Sequence, residues 1–465
     1  MASLNGGEVH VRVVSRSLVK ASDTTIEPHV LAVSNLDLVP QPIQVSMFCV
    51  YPKPLAADFT AVLAAFNAGL PSLLNHFFLL AGRIATNPSS GLPEVLCYNQ
   101  GAELVVGEAG FDLAALDFGN VSASLRRIQQ PYAQDMALSV QVVSFACGGF
   151  TVAWCTNHVL VDGSALSLLV GAWSELARTG MLSVGAQPNH DRFIFRPRAP
   201  PSYSASLNKA FTPLDSERQV NVLTRDQSFV RRLYYIEASD VTRLREEASR
   251  EGQRATRVQA VSSYLWKTLA AVVGASDAHC RMGWWVDGRR HVTAPELRAT
   301  MRNYVGNVTT YAAREASVEE VLRMPLQDVA AMVRDVLTAP AYDQHFQELV
   351  DWVEEHKTKR HVETETLGLG SPTVSVMAFA SFSIDTNFGF GCAAMATPIS
   401  MPSARLCSGF MQIAARPGFD GSWIINASMW PRLAAALETD EPRVFKPVTA
   451  EYLGLVVPKV QQSRL

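Results

Sequence analysis

Between residues 185 and 218 the sequence loses its periodicity. The segment GAQPNHDRFIFRPRAPPSYSASLNKAFTPLD carries Pro188, Pro197, Pro200, Pro201 and Pro213, with neither the alternation of a strand nor the repeat of a helix. Proline removes backbone donors and stiffens the chain, so such a stretch runs over a surface as a semi-rigid crossover instead of entering a core. It divides 465 residues into parts that each fit one hydrophobic core, since single cores rarely grow past about 250–300 residues. The reading is an N-terminal domain over 1–185, a crossover over 186–218 and a C-terminal domain over 219–465.

Both parts mix strand and helix patterns. Asp58 is placed to cap a helix whose apolar positions are Phe59, Val62, Leu63, Phe66 and Leu70. The cluster Asn87-Pro88-Ser89-Ser90-Gly91 reads as the turn of a hairpin. Gly148-Gly149 separates VQVVSFAC from FTVAWCT, and a Gly-Gly turn suits a tight hairpin because both residues accept positive φ. Ser317 with Glu320 resembles a capping box ahead of helical spacing at Leu326, Val329, Ala330, Val333 and Leu337. The most charged segment, VDWVEEHKTKRHVETET over 350–366, reads as a solvated helix face and loop, not a ligand site.

Composition excludes several classes. Apolar residues at 48% against 18% charged exclude disorder as the main theme. Forty Lys and Arg against 43 Asp and Glu leave no basic stripe for nucleic acid. No uninterrupted apolar run reaches the length of a membrane span, and MASLNGGEVHVRVVSRSLVK has no signal-peptide core. Cys49, Cys97, Cys147, Cys155, Cys280, Cys392 and Cys407 are few and scattered, and read as reduced core residues of a cytosolic protein.

The residues best placed for chemistry are NHVLVDG, 157–163. His158 ends a strand-like segment just before a helical one, a rigid mount from which a neutral imidazole can take a proton from a hydroxyl or amine. Asp162 can either orient His158 or turn away and hold the loop by pairing with an arginine. Gly-x-Ser-x-Gly and Walker-type phosphate loops are absent. Gly389 to Ala394 formally fits a dinucleotide fingerprint, but Pro398 and Pro402 stand where its helix would continue. Cys147, Cys155 and His158 lack paired metal spacing, so no metal is expected. Asn120, Asn307 and Asn426 open glycosylation sequons that carry no meaning without secretion.

NHVLVDG resembles the HxxxDG motif of the BAHD acyltransferases, plant acyl-CoA-dependent enzymes of specialised metabolism. FFLLAGRI (77–84), LSVQVVSFACGGF (138–150), NHDR with RAPP (189–201), VSSYLWK (261–267), VDGRR (286–290), NYVGN (303–307) and NFGFG (387–391) resemble further family segments, in order along the chain. The resemblance implies an α/β chloramphenicol-acetyltransferase-like fold of two domains. Each would be a mixed sheet flanked by helices, with an active-site channel between them. It implies His158 as general base, Asp162 paired with Arg289 in support of the loop, and direct attack of an alcohol or amine on an acyl-CoA thioester without an acyl-enzyme. Acyl-CoA is then a co-substrate, with no tightly bound cofactor, and the chain a cytoplasmic monomer without nucleic-acid or membrane partners.

The sequence departs from the family pattern at several points, among them VMAFASFSIDT (376–386), which is shorter than the family's usual stretch. Leu80 replaces a proline, and Asn387 and Phe390 replace the aspartate and tryptophan of DFGWG, around Phe388, Gly389 and Gly391. The family's Thr-Ser-Trp becomes Ala380-Ser381-Phe382, and since Phe offers no donor, Ser381 is the oxyanion candidate. Arg257 and Ser262 are positional candidates for CoA contacts. Without a visible basic patch for a dicarboxylic donor, the analogy favours a hydroxycinnamoyl donor. An inactive, CoA-thioester-binding relative and an acyl-CoA hydrolase are the alternatives.

Overall fold

A computed structural model describes residues 10–456 apart from 41, 122–123, 215–228, 275, 369–370, 381–383, 401–408, 419 and 442. Two mixed sheets organise it. The first has six strands in the order Val11–Val19, Ala102–Ala109, Ser139–Phe145, Phe150–Asn157, Gln44–Tyr51 and Met395–Ser400. The second has seven, in the order Thr309–Ser317, His279–Asp287, Thr373–Ala378, Gly409–Ala415, Trp423–Met429, Val230–Ile236 and Lys446–Pro447. One pairing of the first sheet and two of the second are parallel.

Each sheet buries one face under helices. Phe59–His76 and Gly163–Thr179 cover the first, and Arg257–Val273, Leu326–Thr338 and Pro431–Thr439 cover the second. A third cluster joins Phe48, Ala153 and Cys155 of the first sheet to Leu233 and Ile424 of the second. The strand Phe150–Asn157 is therefore covered on both faces. Phe150, Val152 and Trp154 point to the helices and Ala153 and Cys155 to the seam, which explains its unbroken apolar character. Met395–Ser400, from the second half of the chain, is hydrogen-bonded to Gln44–Tyr51 and forms an edge of the first sheet.

Local signals behave largely as expected. Asp58 caps Phe59–His76 by accepting from Ala61 N. Ser317 accepts from Glu320 N, without the reciprocal half of a capping box. In the hairpin turn only Gly148 takes positive φ, at 80°. The proline-rich segment is pinned to the second half: Asp351, wholly buried, accepts from Arg198 N at 2.8 Å and Ser202 N at 3.1 Å, and Phe211 stacks on Trp352 at 4.4 Å. Cys49, Cys97, Cys155 and Cys280 are buried, but Cys147 and Cys392 are exposed, which corrects their reading as core residues; Cys407 lies outside the described residues.

Candidate active site

His158 directly follows the strand Phe150–Asn157, and its backbone N–H donates to Ile43 O at 2.9 Å. Its ring is set by a residue far away in sequence. Nδ1 lies 3.0 Å from Asn307 Oδ1. Asn307 is wholly buried, and its Nδ2 donates to Asp37 Oδ1 at 3.0 Å and to His158 O at 2.8 Å. Those two acceptors fix the amide orientation, so Oδ1 must receive the Nδ1 proton. The neutral ring then carries its lone pair on Nε2, which has no partner among the described residues. Asp37 is held in turn by Arg192 Nη1 at 2.7 Å and by Asn307 N at 2.8 Å, with both charged side chains almost wholly buried.

Asp162 caps the helix Gly163–Thr179 through Oδ1, accepting from Ala165 N at 3.0 Å. Its other oxygen accepts from Arg289 Nη1 at 2.7 Å and Val308 N at 3.0 Å. Burial works against the charge of Arg289, but Asp162 and then Asp287 outweigh it and hold the guanidinium above its ordinary value. Arg289 Nη2 also donates to Gly306 O at 2.8 Å and Tyr304 O at 3.2 Å. Asp162 thus makes no bond to the His158 ring; it ties the loop to the second half of the chain. Gly163 is required for a different reason: a Cβ there would meet the Phe379 ring at 1.8 Å.

These residues face a channel of about 380 Å³ between the two sheets, walled by side chains of both. Apolar groups such as Val45, Met47, Ile399, Phe379 and Phe410 dominate it. Its two ends differ in charge. From Trp285 to Arg231 the wall crosses four strand spacings, about 19 Å at ~4.8 Å each. At one end Arg126 and Arg231 meet. Burial first, then repulsion from Arg231, lowers Arg126 to about 10, and burial lowers Arg231. This overturns the expectation that no basic patch exists, because the two arginines come from opposite halves of the chain. At the other end stands Glu363, 7% exposed, with burial pushing its carboxyl up to about 7. The segment 350–366 therefore does reach the channel, through Glu363 and Thr366, and is not merely a solvated face. His158 stands nearer this acidic end, since Asn307, which holds its ring, leads straight into the edge strand Thr309–Ser317.

The other sequence candidates lie elsewhere. Ser262 is wholly buried, with its hydroxyl accepting from Trp284 Nε1 at 2.9 Å; it is a packing residue without surface for a ligand. Arg257 is exposed in the first turn of Arg257–Val273. Partial burial and then repulsion from Arg254 and Arg257 lower nearby Arg245, so three guanidiniums cluster there. Ser381 lies outside the described residues. Asn387 forms a turn: its Oδ1 accepts from Gly389 N at 3.0 Å and Gly391 N at 3.3 Å, with those glycines at φ near 100°. An ion pair exists all the same, between Asp385 and Arg178 at 2.6 Å. Phe388 and Phe390 pack into the first sheet's helical core beside Phe66. None of 387–391 lines the channel.

Sequence reading missed Asn307, Asp37, Arg192, Arg126, Arg231 and Glu363. Only Asn307 carried a usable signal, as the last residue of NYVGN. Among the described residues no group of three or more His, Cys, Asp or Glu could hold a metal ion, and no helix is long and apolar enough to cross a membrane.

The sequence profile of the Transferase family matches residues 9–410. Omega-hydroxypalmitate O-feruloyl transferase of Arabidopsis thaliana is 23% identical over 422 residues, 87% of this chain and 88% of that one. Putrescine hydroxycinnamoyltransferase 3 of Oryza sativa subsp. japonica is 26% identical over 342 residues, covering 70% and 75%. Among solved structures, F. graminearum TRI101 complexed with coenzyme A and T-2 mycotoxin superposes with a TM-score of 0.73 at 14% identity, covering 90% of this chain and 99% of that one.

Proposed function

Because the chain belongs to the Transferase family of acyl-CoA-dependent acyltransferases, the BAHD family, we propose that it moves a hydroxycinnamoyl group from CoA to a small alcohol or amine, with His158 as general base. One observation carries this reading: the Asp37–Asn307 relay fixes the Nδ1–H tautomer and leaves Nε2 of a channel-lining histidine free to accept a proton. Nε2 takes the proton of the acceptor O–H or N–H as the heteroatom attacks the thioester carbonyl. The tetrahedral intermediate collapses with cleavage of the C–S bond, and the imidazolium returns the proton to the departing thiolate. Asn307 Oδ1 still accepts from Nδ1–H in the charged ring. No acyl-enzyme forms. Holding both substrates in one channel turns a bimolecular step into an effectively unimolecular one.

Asp162 and Arg289 act by fixing the loop. The apolar walls of the channel suit the ring of a hydroxycinnamoyl group. The feruloyl and hydroxycinnamoyl transferases among its relatives support that donor. Arg245, Arg254 and Arg257 form a patch able to bind CoA phosphates. The departure at Asn387 is absorbed within its own turn, so it gives no ground for lost activity.

The test is thiol release with mass detection of product, from p-coumaroyl-CoA and a panel of alcohols and amines. His158→Ala should lower kcat on the order of 10²- to 10⁴-fold. Turnover within tenfold of the parent would refute the assignment, and free p-coumaric acid as the sole product would make the protein a hydrolase.

A further inference from the structure

One side of the channel is a row of paired residues. Trp285 stands opposite Met377, Met377 opposite Gln412, and Gln412 opposite Asn426. Residues paired in this way project their side chains from one face of a sheet, and all four line the channel. Two amides therefore stand side by side in a wall that Met377, Phe410, Met47 and Ile399 otherwise make apolar.

Their orientation is fixed. Asn426 Nδ2 lies 2.9 Å from Pro398 O, and a carbonyl can only accept, so the nitrogen belongs there. The same Nδ2 donates to Gln412 Oε1 at 3.4 Å. Gln412 Nε2 is left as a donor and Asn426 Oδ1 as an acceptor, each without a hydrogen-bond partner among the described residues. Gln412 is only 6% exposed, and a ligand that displaces solvent from such a pair must replace its hydrogen bonds or lose affinity. An open donor beside an open acceptor matches a hydroxyl, which accepts from Nε2–H and donates to Oδ1 through one oxygen. A carboxylate would set its lone pairs against that of Oδ1, and an ether oxygen accepts but cannot donate.

The pair is also placed with respect to the histidine loop. The Phe379 ring packs on Gly163, which opens the helix after Asp162. Phe379 N donates to the carbonyl of Ile413, the residue after Gln412, at 2.6 Å. Gln412 and Asn426 lie one and two strand spacings from the strand that leads into Phe379, about 5 and 10 Å. A flat acyl group seated at the loop therefore meets the amides with its far end.

We propose that Gln412 and Asn426 are specificity-determining residues that recognise the para-hydroxyl of the acyl donor, Gln412 Nε2–H donating to its oxygen and Asn426 Oδ1 accepting its proton. The inference rests on the reading of the donor as a hydroxycinnamoyl-CoA and names the residues that select within that class.

Calorimetry with three thioesters on the free protein tests it. p-Coumaroyl-CoA should bind about tenfold more tightly than cinnamoyl-CoA, near the worth of one or two hydrogen bonds. 4-Methoxycinnamoyl-CoA, which cannot donate, should bind no more tightly than cinnamoyl-CoA. In Gln412→Met, which keeps the length of the side chain and removes its donor, p-coumaroyl-CoA and cinnamoyl-CoA should bind alike. Equal binding of those two by the parent, a gap that survives Gln412→Met, or a methoxy thioester as tight as p-coumaroyl-CoA each overturns the proposal. The comparison of thioesters on the parent needs no variant, so it stands whether or not Gln412→Met folds. Hydroxyl-dependent binding without thiol release for any acceptor would keep this site and overturn the transferase reading. Acyl transfer from all three thioesters with equal affinity does the reverse.

Discussion

The loop that carries His158 and the acidic end of the channel are neighbours built on opposite terms. In the loop, polar groups are over-determined: Asp162 caps a helix, pairs with Arg289 and accepts from Val308 N, and Asn307 is fixed from three directions. At Glu363 a carboxyl oxygen is left with nothing. The difference separates two electrostatic situations. A general base must already stand in its reacting geometry before substrate arrives, so the fold completes its hydrogen bonds internally. The Glu363 carboxyl is left incomplete, so it carries a desolvation cost that protonation relieves.

Three variants break or sharpen this contrast. The largest effect belongs to Arg289→Met. It strands Asp162 and Asp287 without their shared cation and should cost about 3–5 kcal/mol of stability, as removal of one partner of a buried pair does. Thermal and urea unfolding would read it, and a loss below about 1 kcal/mol would show that the loop is held by its other contacts. Next comes Glu363→Gln, read as stability against pH. The folded carboxyl stays protonated up to about pH 7, while the unfolded one ionises near its ordinary value. The parent therefore loses stability as pH rises between about 4.5 and 7, and the amide does not. The variant's advantage should grow across that window by at most about 3 kcal/mol. A constant difference from pH 4 to 8 would contradict the incomplete site. The smallest effect is Asn307→Leu. Without the amide the imidazole loses its preferred tautomer, and kcat should fall about tenfold, near the worth of one hydrogen bond to a group that becomes charged, with KM little changed. A change confined to KM would mean that Asn307 shapes substrate binding instead.

The histidine loop was legible because its signals are local. A strand-like run, His158, Asp162 and a helical pattern lie within a few residues of one another, although the sequence reading did not see that Asp162 also caps that helix. What completes the site is not local. Asp37, Arg192 and Asn307 converge from three remote segments, and no periodicity announces that meeting. Glu363 was misread for an instructive reason. A charged stretch looks solvated, but pairing with Phe211–Pro213, inside a segment that showed no periodicity at all, draws its end into the interior. Arg126 and Arg231 escaped notice because each alone is an ordinary half-exposed arginine; the closed seam makes them a pair. At Asn387 the expected loss of an ion pair is offset by Asp385, two residues earlier, which binds Arg178.

The strand Met395–Ser400 has one further consequence. Six residue pairs stitch this stretch of the second half to Gln44–Tyr51 in the first. Swinging the lobes apart like a clamshell would mean unzipping that seam. Traffic must instead thread a standing tunnel from its mouths, so the width of those mouths, not the swing of a hinge, becomes the gauge of which molecules enter and how quickly they leave.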